Sequence, residues 1–207
     1  MSITTILRSG LSALGRLVVR DASAHCDTEE GPAVTDGRRA LATGNANIAL
    51  KWVRREDEPE VREVFEEALR AQASGGELAE AAERWFLDIL VRVHRASEGA
   101  EFDGIKPVGT PVPEQVKAAD QALADGNLEP VLAFVEPARR AELERRFRHA
   151  LALKDFDEND LVAARAYMAA YVSFFKFAEG EDHDHHHGHA HEAHHHSHAT
   201  SEVLAGR

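Results

Sequence analysis

The sequence predicts an all-α fold, a helical bundle built from two sequence-related helical repeats and followed by a disordered histidine-rich tail. Three observations lead to this prediction. Apolar residues recur at spacings of three and four, strand-like alternation is absent, and one stretch of the chain resembles another further along. With 207 residues, 43% of them hydrophobic, the chain is long enough to bury a core.

The composition excludes several classes of protein. No apolar run approaches the roughly 18 residues of a transmembrane helix, so no membrane span is expected. The net charge of -12 argues against a nucleic-acid-binding protein, which needs a basic surface for phosphate contacts. The single cysteine, Cys26, excludes an internal disulfide framework.

Residues 1–24 differ from the rest of the chain and predict an amphipathic N-terminal helix. They contain three arginines and one acid, Asp21, and their apolar residues follow helical spacing: Ile3, Leu7, Leu11, Leu14 and Val18. We expect this helix to lie on the surface or to bind a protein partner. We also expect the protein to be cytoplasmic. The alternative is export, since Ala22-Ser23-Ala24 matches the small-x-small rule for cleavage of a leader after Ala24.

Residues 25–178 are predicted to form the helical domain. One amphipathic helix follows Pro59 and ends at Gly75-Gly76, and a second extends from about Glu77 to about Ala96. The apolar positions that mark the first helix are Val61, Val64, Phe65, Ala68 and Leu69. Those that mark the second are Leu78, Ala81, Ala82, Trp85, Ile89 and Val93.

An internal duplication divides this domain into a repeat at 31–96, a linker at 97–112 and a repeat at 113–178. A shift of 82 positions places Ala40–Asn45 on Ala122–Asn127 without a gap downstream. Trp52 then corresponds to Phe134 and Phe65 to Phe147, so each pair is expected to occupy equivalent buried places. The linker is too rich in glycine and proline to continue a helix. Chance agreement of small and apolar residues is the alternative.

The segment 179–207 contains ten of the thirteen histidines and no apolar periodicity. We expect it to be disordered without a ligand and to bind transition-metal ions, because imidazole is a good ligand for zinc and nickel. The predicted ligands are His183, His185, His186, His187, His189, His191, His194, His195, His196 and His198. The alternative is an expression tag, although acidic residues interrupt the tract and seven residues, 201–207, end the chain after it.

A second candidate metal site lies at His25–Pro32. Cys26 follows His25, and the carboxylates of Asp27, Glu29 and Glu30 come within four residues, which places thiolate, imidazole and oxygen donors in one turn. The alternative is that Cys26 is simply a small buried residue.

His94 is the third candidate. It stands four residues before Glu98, so both side chains share one helix face if the second long helix continues that far. It could be a ligand or an acid–base partner for Cys26, or a buried structural histidine.

The run His25-Cys26-Asp27-x-x-x-Gly31 resembles the nickel hook of nickel superoxide dismutase, a helical-bundle enzyme whose mature chain begins H-C-D-x-x-C-G. The resemblance implies that His25 and Cys26 bind nickel, with Glu30 in place of the second cysteine. A harder carboxylate there makes trivalent nickel less accessible and dismutase activity poor.

The chain also resembles an uncharacterised bacterial all-helical family with the motifs H-C-D-T-x-[DE]-G-P, A-L-x-T-G-N and V-R-[IV]-H-R-A-x-E-G. These motifs match His25–Pro32, Ala40–Asn45 and Val91–Gly99. This second resemblance implies no function.

These patterns predict a transition-metal-binding protein, acting as a carrier, buffer or store, with nickel or zinc as the bound ion. The His25–Cys26–Asp27 segment would be its selective site and the tail its collector. The alternatives are a metalloenzyme related to nickel superoxide dismutase and a helical scaffold or interaction protein. Whether the chain forms a homo-oligomer is left open.

Overall fold

A computed structural model describes residues 25–180 of the chain, and in this range it is all-α, as the sequence predicts. The N-terminal segment 1–24 and the histidine segment from 181 onward lie outside the described residues. The helices are α1 (Pro32–Thr43), α2 (Asn47–Leu50), α3 (Glu58–Gln72), α4 (Gly76–Ser97), α5 (Glu114–Asp125), α6 (Glu129–Leu132), α7 (Arg140–Leu153) and α8 (Leu161–Glu179). None of these helices is long and apolar enough to cross a membrane.

Local sequence signals explain where the helices begin and end. Pro32 opens α1, where its missing N–H costs nothing. Gly44 and Gly126 follow α1 and α5 in the left-handed conformation, with φ of 68° and 69°, which glycine adopts without the steric cost of a Cβ. The Asp160 side chain caps α8 by accepting from the backbone N–H groups of Val162 and Ala163.

The long helices pack in two pairs, α3 with α4 and α7 with α8, while α1 lies against α4 and α5 against α8. One continuous apolar core runs through both pairs. Its largest fully buried side chains include Phe86 and Leu90 of α4, Leu143 of α7 and Phe174 of α8. The first half and the second half therefore share a single core.

The order of elements is the same in the two halves: a 12-residue helix, a glycine cap, a four-residue helix, a 3-10 turn and two long helices. Phe65 and Phe147 are both buried, as expected for corresponding positions. The expectation for Trp52 and Phe134 is wrong, because Trp52 is 6% exposed and Phe134 is 47% exposed. Whether the two halves superpose as a repeat stays a prediction.

Trp52 is buried because partners from both halves surround it. Its ring meets His94 edge-on at 5.2 Å and Tyr171 at 6.3 Å, and its Nε1 donates to Asp36 at 2.9 Å. The same shift of 82 positions replaces Asp36 with Ala118 and His94 with Lys176. The second half thus has neither the acceptor nor the ring that hold Trp52, and Phe134 lies at the surface.

Arg165 of α8 ties the two halves together. Its Nε donates to the Val53 carbonyl at 3.0 Å, its Nη2 to the Leu50 carbonyl at 3.0 Å, and its Nη1 to the Glu58 carboxylate at 2.6 Å. The guanidinium therefore donates to one carbonyl at the end of α2 and to one in the turn that follows it, where a short helix leaves acceptors without intrahelical partners.

We expect Arg165→Ala to lower the free energy of unfolding by about 1.5–3 kcal/mol, the usual range for hydrogen bonds to a charged group. Arg165→Lys should recover only part of it, because an ammonium lacks the planar fork. Urea denaturation measures both. Lys117→Ala is the control, since Lys117 is exposed and pairs with Glu114 on its own helix, and it should change stability by less than about 0.5 kcal/mol. Equal losses in the Arg165 and Lys117 variants would contradict this role.

Candidate functional site

The segment before α1 folds into a tight turn that places His25, Cys26 and Asp27 inside the protein. The backbone N–H and hydroxyl of Thr28 both donate to the His25 carbonyl, and the Gly31 N–H donates to the Thr28 carbonyl. Residues 27–29 also pair with the linker, since Lys106 N–H donates to the Asp27 carbonyl at 2.7 Å and Glu29 N–H donates to the Lys106 carbonyl at 2.9 Å. This pairing fixes the turn against the bundle.

His25 lies between α5 and α8. Its ring stacks on Phe175 with centroids 4.6 Å apart and planes 12° from parallel. Its Nε2 is 3.0 Å from the Asp120 carboxylate, a close contact without hydrogen-bond geometry. Asp120 is held by Tyr171, whose hydroxyl donates to its other oxygen at 2.7 Å. The ring is therefore fixed by an aromatic face and by a carboxylate that is itself oriented.

The Cys26 thiol is buried, and its Sγ is 3.8 Å from Nδ1 of His25. Burial raises the pKa of Cys26 well above its usual value, and the nearby charges of Glu98 and Asp120 raise it further, against a smaller opposing effect of Arg95. The order thiol, imidazole, carboxylate is that of a cysteine nucleophile with its base and orienting group. A thiol whose pKa is raised stays protonated, so this pocket does not activate Cys26 for attack.

Asp27 turns its carboxyl group towards Arg95, with Oδ2 3.9 Å from Nε, and is almost fully buried. Burial raises its pKa, while the charges of Arg95 and Lys106 act in the opposite direction. Its Oδ1 has no hydrogen-bond partner within residues 25–180. Asp27 is thus a buried acceptor whose main electrostatic partner comes from α4.

His94 has an imidazole nitrogen with an unused lone pair. Its Nδ1 is 3.0 Å from the Trp52 carbonyl, which can only accept, so the proton is on Nδ1. Burial lowers the pKa of His94, which keeps the ring neutral, and Nε2 has no hydrogen-bond partner in the described part of the chain. Glu98 stands four residues on, as the spacing predicts, with its Oε2 3.8 Å from Nε2. Metal-binding histidines are commonly held by such a bond from the other ring nitrogen.

Comparison with known proteins shows which family the chain belongs to. Residues 30–177 match a family described as a family of unknown function, DUF6448. The chain belongs to this family. No curated protein and no solved structure matches the chain.

The family match begins at Glu30, so it includes His94, Glu98, Asp120 and Tyr171 but not His25–Asp27. The resemblance of His25–Gly31 to the nickel hook therefore stays a prediction.

The structure brings some of the predicted site residues together and separates others. His25 and Cys26 are adjacent inside the bundle. Glu98 lies 3.8 Å from His94, and its charge raises the pKa of Cys26. Glu30 is exposed, and its carboxylate accepts from the Gly109 N–H at 3.3 Å. Within residues 25–180, no group of three or more His, Cys, Asp or Glu side chains is arranged to hold a metal ion. The ten predicted ligands from His183 to His198 lie outside the described residues.

Sequence reasoning missed Asp120, Tyr171 and Phe175, which hold His25 in place. They are 95 or more positions from His25 along the chain, so only the packing of α5 and α8 brings them near. One signal was present for Asp120. The shift of 82 positions pairs it with Arg38, and a charge reversal inside a repeated apolar frame is expected where one copy carries a distinct site.

We expect Cys26 to react slowly with a disulfide reagent such as DTNB while the protein is folded. The reactive species is the thiolate, and each unit by which the pKa rises lowers its population about tenfold. The chain has one cysteine, so the released chromophore reports this thiol alone. The rate at pH 8 should be at least about tenfold lower than in guanidinium, where burial is lost. Equal rates in the two conditions would contradict the buried, protonated thiol.

Proposed function

We propose that the protein binds transition-metal ions through its histidine-rich segment and through the His25–Cys26 pair, and that it acts as a carrier, buffer or store. The observation that carries the proposal is the density of imidazoles, with ten histidines between His183 and His198. Imidazole binds zinc, nickel and copper at neutral pH, and several such groups on one chain can share an ion.

The position of α8 supports cooperation between the segment and the pair. Phe175 stacks on His25, and the next residue, Lys176, lies 3.9 Å from Glu98. Gly180 ends the helix about 8 Å beyond Phe175, at 1.5 Å per residue. Three further residues reach His183, which adds at most about 11 Å. By chain length, His183 can therefore be no more than about 19 Å from Phe175, the residue whose ring stacks on His25.

The distance between Cys26 and His25 suits two donors on one ion. Zinc holds sulfur at about 2.3 Å and nitrogen at about 2.0 Å, so donors at tetrahedral angles are roughly 3.5 Å apart. Sγ and Nδ1 are separated by 3.8 Å. The pair supplies two of four donors, and we propose that imidazoles of the histidine segment, or the lone pair of His94, supply the others.

The donor set favours zinc or nickel over magnesium and calcium, which take oxygen ligands. A metalloenzyme related to nickel superoxide dismutase has less support. Glu30, which stands where that enzyme has its second thiolate, is exposed and engaged with Gly109. We therefore propose binding, with catalysis as the alternative.

Ion counting by equilibrium dialysis with zinc or nickel tests the proposal on protein purified without a metal column. Deleting residues 181–207 should remove most of the bound ions, since ten imidazoles are lost. The unfolding midpoint of the metal-free protein should not change, because a polar segment without apolar periodicity has little to contribute to a core. Cys26→Ser should remove one site and leave the rest, and because an ion must displace the thiol proton to bind there, the affinity of that site should rise with pH.

Two controls separate imidazole chemistry from other effects. Replacing the ten histidines with asparagine keeps the length and the acidic residues, and it should lose ions as the deletion does. His149→Asn changes the one histidine outside the candidate sites, which is exposed on α7, and should lose none. A deletion that binds as many ions as the full chain would contradict the role of the segment. Equal binding with and without Cys26 would contradict the role of the pair.

A further inference from the structure

Helix α4 carries an apolar stripe that the described part of the chain leaves open. Leu78 is 62% exposed and Trp85 46% exposed, and Ala81 lies between them at helical spacing. Ala81 and Trp85 line a shallow groove on α4, and Leu78 lies beside it, about 10 Å along the helix from Trp85. A tryptophan and a leucine exposed together on one helix face indicate a surface that binds something.

The rim of this groove is acidic. Glu77, Glu80 and Asp88 line it, against one cation, Arg84. An occupant with an apolar face and a positive charge would match it. Residues 1–24 have both properties, because their apolar positions recur at helical spacing and they contain three arginines against one acid.

Glu29, the fifth residue of the described chain, lies near the groove. The carbonyl and carboxylate of Glu29 both accept from Arg38, which also bonds to Glu83 of α4 at 3.2 Å. Burial raises the pKa of Asp88, which lines the groove, and the charge of Arg84 lowers it. The charge of Glu29 also raises this pKa, which places Glu29 near Asp88. From Glu29 back to His25 the chain spans at most about 14 Å, and 24 helical residues extend about 36 Å, so the segment reaches the stripe.

We propose that residues 1–24 of the same chain dock as an amphipathic helix on the face of α4 formed by Leu78, Ala81 and Trp85. The apolar side chains of the segment cover the stripe, and its arginines lie along the acidic rim. Docking buries the exposed half of the Trp85 ring, and neither the histidine segment nor Cys26 takes part.

Acrylamide quenching of Trp85 fluorescence in the full chain tests this inference. Trp52 is buried, and the Trp85→Phe chain gives its contribution for subtraction. The double variant Leu11→Glu/Leu14→Glu places charge on the apolar face of the segment and should raise the quenching constant of Trp85 about twofold, as the ring becomes accessible. Ser2→Glu/Ser9→Glu adds the same charge on the opposite face and should leave the constant near its original value.

The outcomes are distinguishable. Equal quenching in the original chain and the Leu11→Glu/Leu14→Glu variant would overturn the proposal. Protection of Trp85 that grows with protein concentration would also overturn it, since the occupant would then be a second copy. Intact mass measurement checks that residues 1–24 are present, and their removal on maturation in the native host would overturn it as well.

Discussion

Replacing Phe174 with alanine is expected to lower the free energy of unfolding by about 3–5 kcal/mol, the usual cost of removing a buried aromatic ring. Phe174 of α8 has no exposed surface and packs against Phe147 of α7, with ring centroids 5.4 Å apart. The loss combines the transfer free energy of the ring with the cost of the cavity left between these helices. Since a domain is stable by only about 5–15 kcal/mol, this variant should be near the limit of folding.

Phe134→Ala is the matched control for this prediction. The same chemical change is made in the same half of the chain, at a side chain that is 47% exposed, so it should cost less than about 1.5 kcal/mol. Denaturant unfolding followed by circular dichroism measures both variants. Losses of equal size would show that Phe134 is packed in solution and that the burial difference between the two phenylalanines is wrong.

The elements that were predictable from the sequence are those that depend on neighbours along the chain. Helix α3 covers Glu58–Gln72 and α4 covers Gly76–Ser97, close to the predicted spans, because apolar spacing, Pro59 and the Gly75-Gly76 break act within a few residues. The glycine caps at Gly44 and Gly126 likewise follow from local conformation. All-α architecture is the sum of such local preferences.

The candidate site was predictable only in part, because its geometry depends on contacts distant in sequence. His25 and Cys26 were identified from residue type, yet what surrounds them comes from α4, α5 and α8. Adjacency in sequence suggested that Glu30 would join them, but the turn directs Glu30 outward to Gly109. The burial of Trp52 and exposure of Phe134 have the same cause, since tertiary partners in one half are absent from the other.

Gly31→Ala is expected to open the pocket around Cys26, because this glycine holds the turn closed at its far end. A Cβ at position 31 would overlap the His25 carbonyl oxygen and lie 2.9 Å from the Cys26 carbonyl oxygen. Both obstacles are backbone atoms, which cannot rotate aside as a flexible side chain would. The turn must shift as a whole, and with it the His25 ring that stacks on Phe175 and faces Asp120.

The expected result is a loss of about 1–3 kcal/mol of stability, as for other overpacked positions, together with faster reaction of the Cys26 thiol with DTNB. Gly44→Ala provides the comparison, since it also strains the chain, through a φ of 68°, but its Cβ would meet open space. Gly44→Ala should lower stability by a similar amount, about 1–2 kcal/mol, while its Cys26 thiol should react with DTNB as slowly as in the unchanged protein. The contrast in thiol reactivity at matched stability isolates the turn, and a Gly31→Ala chain whose thiol stays protected would show that this glycine does not shape the His25–Cys26 pocket.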